Sequence, residues 1–295
     1  MPRCIDLGSR WLKRAVELGD KFGEATAHSR LGIVFAAGGG RAAEARGHFA
    51  TATAIFSAHG NVAATAGELL NEAVLETRLG FFDRARRTTE KAVALFEKLQ
   101  DARGRLTGLA NLALVRGCER DLEGARLAAN EALEASRELG FGLIEASALE
   151  NLAFAEGFDG DLTNAIAHGE ASLEARVRSQ SEIWSSKVLA DLAVWHAALG
   201  NLGKARDYAQ RMLAGEESFV RSTEWPEYCY WAAAQVFRLH GDTQAAARML
   251  ERAHRIMETT AQELEGEDRE RFLSIAWHRD IEAAARRNLW PDPAR

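Results

Sequence analysis

A chain of 295 residues, 47% hydrophobic and 27% charged, has room for one large domain or two small ones. Its formal net charge of -6, spread along the chain instead of blocked, excludes a phosphate-tracking surface of clustered Lys and Arg, so no direct nucleic-acid partner is expected. No apolar run approaches the roughly 18 residues of a membrane span. The stretch Met1 to Gly19 carries Arg3, Asp6, Arg10, Lys13 and Arg14 where a signal sequence needs an apolar core, so no membrane is expected and the expected location is the cytoplasm.

Three scattered cysteines, Cys4, Cys118 and Cys229, suggest neither a disulfide framework nor a metal knuckle, and are expected as buried reduced thiols. The prolines are Pro2, Pro226, Pro291 and Pro293, so most of the chain passes without a helix breaker. Glycine punctuates instead. Alanine recurs at positions 45, 85, 125, 165, 205 and 245, a spacing of forty, with a second ladder at Ala73, Ala113, Ala153, Ala193 and Ala233. Glycines fall at 40, 80, 160 and 200, with Gly241 one place late, and a polar ladder runs Asn71, Asn111, Asn151, Asp191.

Taken in chain order, residues 1–20 form an N-terminal half repeat or cap. Ile5 lies forty before Ala45, so Ile5 to Leu18 aligns with the second helix of a unit whose first is absent. Either the chain is a piece of a longer protein or this helix caps the stack. Residues 21–261 hold six units of about forty residues, each two amphipathic helices joined by a glycine-bearing turn. Leu69, Ala73 and Leu75 before Gly80, and Phe82, Ala85, Val93 and Phe96 after it, show the pattern, and Leu122, Leu162 and Leu202 plug later joints. The ladder alanines mark helix crossings where only a small side chain lets axes approach to about 8–10 Å. Around Gly39 the glycine-rich run lacks the Lys-Ser/Thr of a phosphate loop and reads as a repeat turn. Residues 262–295 give a C-terminal capping helix and tail: Asp268 to Asn288 places Phe272, Ile275, Ile281 and Ala285 inward, and His278-Arg279-Asp280 reads as helix surface, without the other parts of a kinase site. The fold class is thus all-α, a right-handed superhelical solenoid of about six antiparallel helix pairs with caps at both ends, spanning 1–295.

The segments GLANLALVRGCERDLEGARLAANEAL and VLADLAVWHAALGNLGKARDYAQRML resemble the tetratricopeptide repeat family, through their Asn-Leu-Ala, Gly-x-Leu and later Ala positions. The usual period is 34 residues, and the forty seen here is similar to the longer-helix variants. The resemblance covers about Phe22 to Ala261, and Leu31 and Trp231 replace the asparagine in the first and sixth units. The tail is similar to the ends of repeat regions in large bacterial signalling proteins, where such arrays follow an ATPase, a cyclase or a transcription-activator domain. The family implies that the helix-A asparagine lines a concave wall and contacts an extended peptide.

Residues at i, i+3 and i+7 share a helical face. The candidate groove is therefore Asn71, Val74 and Arg78; Asn111 and Leu114, with Cys118; Asn151, Phe154 and Phe158; Asp191 and Val194; and the cation Lys187. An asparagine offers both donor and acceptor to an extended backbone. The alternative is that it fixes packing between repeats, and both can hold. Too few cations line the stripe for capture of acidic C-terminal tails. Trp184, Trp195, Trp225, Tyr228, Tyr230, Trp231 and Phe237 cluster towards the C-terminus; most are expected to fill a wide joint, with Tyr230 and Trp231 kept as candidate contacts. No catalytic set, cofactor loop or histidine–carboxylate metal spacing stands out, so no enzyme, cofactor or metal is expected. The expected function is a protein-interaction scaffold that binds a partner peptide or domain; the alternative is a small-molecule-sensing module of a bacterial regulator.

Overall fold

A computed structural model of the protein describes residues 2–37, 41–182, 185–214, 223 and 225–291. Gly39 and Trp184, singled out above, lie outside the described residues. Within them the secondary structure is helical throughout, in fifteen helices. Helix α1 (Pro2–Leu18) packs on α2 (Lys21–Ala37), which forms the first pair with α3 (Ala42–Ala58). Five further pairs follow: α4 (Val62–Arg78) and α5 (Phe82–Lys98), α6 (Ala102–Glu119) and α7 (Leu122–Leu139), α8 (Gly142–Asp159) and α9 (Leu162–Arg178), α10 (Ser186–Ala198) and α11 (Leu202–Ala214), α12 (Pro226–Leu239) and α13 (Thr243–Gln262). Each pair packs on the next, and first helices also touch across units, α6 against α8 and α8 against α10.

The ladder alanines sit where the helices cross. Ala45, Ala85, Ala125, Ala165 and Ala205 have no exposed surface, and Ala113, Ala153, Ala193 and Ala233 likewise have none. The helices start where a side chain can supply a missing acceptor. Asn61, Asp101, Asp121, Asp161 and Asp242 each accept from the backbone N–H three residues on, at 2.9–3.2 Å. Second helices such as α5, α7 and α13 bury one stripe and leave a charged back in water, whereas α8, α10 and α12 are buried on most sides.

The C-terminal cap departs from the expectation of one helix. It is two, α14 (Gly266–Ser274) and α15 (Ala276–Arg287), broken at Ile275, whose ψ of 136° is extended. The break shifts the register, so Phe272, Ile275 and Ile281 are buried as expected but Ala284 is buried in place of the exposed Ala285. His278 is not on a helix surface either: its Nδ1 lies 2.6 Å from the Phe272 carbonyl oxygen and its Nε2 3.0 Å from Glu227 Oε1, tying α15 to α12.

These two helices also reach back to the start of the stack. Arg46 on α3 donates to Asp268 on α14 at 2.8 Å, and the Arg271 guanidinium stands over the Phe81 ring at 5.8 Å. Gly80 has φ +84°, and a Cβ there would come within 2.8 Å of the Arg271 carbonyl oxygen. One apolar core therefore joins Leu75, Leu79 and Phe81 of the second unit to Phe272, Ile275 and Ile281, while the third and fourth units keep a core of their own.

Candidate functional site

Helices α8, α10 and α12, the first helices of units four to six, line one side of a pocket of about 480 Å³, and Trp277 from α15 lines it too. Phe154, Phe158, Lys187, Asp191 and Val194, five of the residues expected in the groove, meet here. Phe154 and Phe158 pack edge to face with ring centroids 4.4 Å apart. Trp277 docks against Trp225 at 5.0 Å and Tyr228 at 5.3 Å, so the cap helix supplies part of the site.

A buried charge cluster underlies the pocket. Lys187 Nζ donates to Asp191 Oδ2 at 2.8 Å, lies 3.8 Å from Glu150 Oε1 and stands 4.1 Å from the Phe154 ring centroid. Arg176 pairs with Glu150, and Tyr228 donates to Asp191 Oδ1 at 2.6 Å. Burial alone would lower the Lys187 pKa, but the Asp191 and Glu150 carboxylates outweigh it and hold the ammonium above its ordinary value. Burial pushes the Asp191 carboxyl up, against the opposing pull of Lys187 and Tyr228. The Tyr228 hydroxyl is driven well up by burial and by the Asp191 charge, so it stays a donor.

The remaining candidates are placed differently. Asn151 is buried and donates its side-chain amide to the Ala110 carbonyl at 2.9 Å, bridging α8 to α6. For this asparagine the packing alternative describes the structure. Asn71 is half-buried, 3.4 Å from Glu68 on its own helix, and Val74 is exposed. Arg78 is buried and donates to the Ala36 carbonyl, so it joins units one and two. Asn111 and Leu114 are half-buried and outside the pocket lining.

Tyr230 and Trp231 are corrections. They are only 3% and 2% exposed, and Trp231 stacks on Trp290 at 5.2 Å. Trp231 is covered by the C-terminal segment and Tyr230 lies under the Arg252 guanidinium of α13, 5.5 Å from its ring, neither of which sequence periodicity alone revealed. The aromatics of this helix that do face the pocket are Trp225 and Tyr228.

Sequence reasoning also missed Arg120. It ends α6 in a left-handed conformation, φ 67°, at the place where Gly80, Gly160 and Gly200 end their helices, and its guanidinium lies over the Phe158 ring at 3.9 Å. Its occurrence where the repeat otherwise prefers glycine was the available signal. The thiols are not uniformly buried: Cys4 is exposed, Cys118 half-buried and Cys229 buried. Away from the pocket, His254, Glu258 and Glu282 bring ligand-type atoms within 4.8 Å of one another, a histidine–carboxylate grouping that the sequence did not suggest. Arg286 already bridges both carboxylates, at 3.1 Å and 2.7 Å, and supplies the positive charge a metal would bring. No helix among the described residues is long and apolar enough to cross a membrane.

No protein-family model matches the chain, and no curated protein matches it in sequence. Solved structures do. A Rap protein in complex with competence and sporulation factor superimposes with a TM-score of 0.62 at 14% identity, over 83% of this chain and 76% of that one. Aspartyl phosphate phosphatase F from Bacillus subtilis gives 0.57 at 10% identity, over 95% and 75%. A signal-transduction ATPase with numerous domains and a tetratricopeptide repeat sensor, from Pyrococcus horikoshii, gives 0.55 at 18% identity; the match covers 82% of this chain and 37% of that one. Identities this low speak to fold alone. With the forty-residue ladders, the paired helices and these likenesses together, the chain is an all-α superhelical repeat of the tetratricopeptide type.

Proposed function

We propose that the chain is a non-catalytic interaction module whose inner face receives a segment of a partner protein, anchored in the pocket between α8, α10, α12 and α15. In this reading 1–295 acts as one solenoid, with residues 1–20 as its N-terminal half repeat or cap and 262–295 as its C-terminal cap. The observation that carries the proposal is the convergence of Phe154, Phe158, Lys187, Asp191 and Val194, drawn from two successive first helices, on one aromatic-walled pocket. Apolar rings beside a few fixed polar groups are the composition of a binding site, since rings provide area and charges fix orientation. The Rap protein of similar fold, solved with a bound factor, supports the same reading.

The test is affinity capture from native extract with wild type and a Phe158→Ala, Val194→Ala double variant, both checked by circular dichroism. Loss of a partner with the variant alone is the expected result. Equal recovery by both proteins would remove the inner pocket from the proposal.

A second reading, small-molecule sensing, is favoured by one observation: the pocket's about 480 Å³ lies within the range of small-ligand sites, roughly 300–1,000 Å³. A metabolite that binds only the folded chain raises its melting temperature as RT ln(1+[L]/Kd). A thermal-shift screen with no hit would count against this reading and leave the first untouched.

A further inference from the structure

Four charged side chains line the pocket: Arg120, Asp159, Lys187 and Asp191. Three are matched. Asp159 pairs with Arg126 at 2.5 Å, and Lys187 pairs with Asp191 at 2.8 Å within a cluster where Arg176 also balances Glu150. Arg120 is the exception. Its guanidinium rests on the Phe158 ring at 3.9 Å and has no ion-pair partner among the described residues. A cation that lies on an aromatic face keeps its in-plane N–H donors available for a carboxylate.

A second, independent observation points the same way. Two indoles in the pocket lining, Trp225 and Trp277, have buried Nε1–H donors with no acceptor among the described residues. Trp225 is itself 1% exposed. Buried donors normally find partners, and each exception asks for an explanation. The lining therefore has one positive charge without an ion pair among the described residues, beside the apolar surfaces of Phe154, Phe158, Val194 and Trp277, with two unpartnered indole N–H groups buried in its wall.

We infer that the pocket takes a carboxylate carried on an aromatic or bulky apolar body, with Arg120 pairing the carboxylate and the Phe158 and Trp277 rings receiving the body. This inference rests on the binding role proposed above for the inner face and names the chemistry that the pocket selects. The carboxylate can belong to a peptide or to a free aromatic acid, because the same donors serve both. Sequence alone pointed away from acid recognition, since the candidate stripe held too few cations; Arg120 enters the site from the end of α6 and not from the stripe.

The probes are N-acetyl-phenylalanine and its amide, which differ only in charge at the carboxyl group, and a pentapeptide, Gly-Gly-Gly-Gly-Phe, with a free or an amidated C-terminus. Binding is followed by calorimetry and by tryptophan fluorescence, which Trp195, Trp225 and Trp277 in the lining should report. Wild type is expected to bind the acid at least ten-fold more tightly than the amide in one or both pairs. Arg120→Gln should erase that preference while leaving the circular dichroism spectrum unchanged, and Phe158→Ala should weaken acid and amide together. A peptide pair that binds more tightly than the free acid assigns the carboxylate to a peptide, and the reverse assigns it to a small acid; both outcomes keep the inference. Equal binding of acid and amide to wild type, persistence of the preference in Arg120→Gln, or no binding of any probe would overturn it. The inner-face proposal is read separately, by partner capture with the Phe158→Ala, Val194→Ala variant, so the two can fail independently.

Discussion

The third and fourth units and the fifth and sixth units use the same ladder position in opposite ways. In the fourth unit Asn151 spends its amide on the Ala110 carbonyl, and the neighbouring first helices are locked by a neutral hydrogen bond. Forty residues on, Asp191 holds Lys187 and Tyr228 and lies in the pocket lining. The centre of the solenoid is regular, with its own apolar core, while its far end shares a core with the second unit through α14 and α15. A repeat position thus fixes where a side chain points, and the local partners decide whether it packs or forms a site.

Truncating both ladder residues breaks this comparison most sharply. Asp191→Ala removes one member of a buried ion pair, and leaving Lys187 with only Glu150 at 3.8 Å should cost about 3 kcal/mol, the lower end for such a loss. Asn151→Ala loses one buried hydrogen bond and leaves a carbonyl without its donor, about 1 kcal/mol. Urea unfolding of the two variants measures both. Equal losses would mean that the charge cluster adds nothing beyond ordinary packing.

Much of the fold was legible because helix crossings demand small residues at fixed intervals, and the alanine ladders record that demand directly. The turns were only partly legible. Left-handed residues fall every twenty positions from Gly60 to Gly200, but Gln100, Arg120 and Gln180 fill three of those places, and a search for glycine passes over them. The pocket was half legible: the helical face through Phe154, Phe158, Asp191 and Val194 follows from periodicity, whereas Arg120 and Trp277 arrive from a helix end and from a cap. The burial of Trp231 involves Trp290 of the folded-back C-terminal segment, a contact of long sequence separation that no local pattern encodes.

A pair of turn glycines sharpens the contrast between the closed end and the regular centre. Gly80 and Gly140 both have positive φ, but a Cβ at Gly80 would meet the Arg271 carbonyl at 2.8 Å, whereas one at Gly140 would meet nothing within 4 Å. Gly140→Ala should therefore cost about 1 kcal/mol, the left-handed penalty alone. Gly80→Ala adds a backbone clash that the cap helices must relieve by moving, for a total of about 2 to 3 kcal/mol. Hydrogen exchange locates the difference: protection in Gly266–Ser274 and Ala276–Arg287 should fall in Gly80→Ala and stay unchanged in Gly140→Ala. Unchanged protection in both would show that the contact at Gly80 does not hold the cap.

The smallest effect expected is a pH dependence on the closed side, at Glu76 of α4. Burial raises its carboxyl to about 7; Glu72 adds to the rise, while the Thr88 hydroxyl, Arg84 and Arg46 pull the other way. Between about 4.5, the ordinary value, and about 7, the folded chain keeps a proton that the unfolded chain has released. Unfolding then releases a proton, so the stability from this group is greatest below pH 4.5 and declines as pH rises through 7. Glu76→Gln removes the dependence, and its melting temperature relative to wild type should climb by roughly 3 °C between pH 5 and 8. The opposite sign, with wild type gaining on the variant as pH rises, would mean that the Arg84 contact at 3.7 Å outweighs burial and that Glu76 works as an ion-pair partner. Because Arg46 faces both Glu76 and Asp268, that outcome would also tie the charge on α4 to the salt bridge between α3 of the first unit and the C-terminal helix α14.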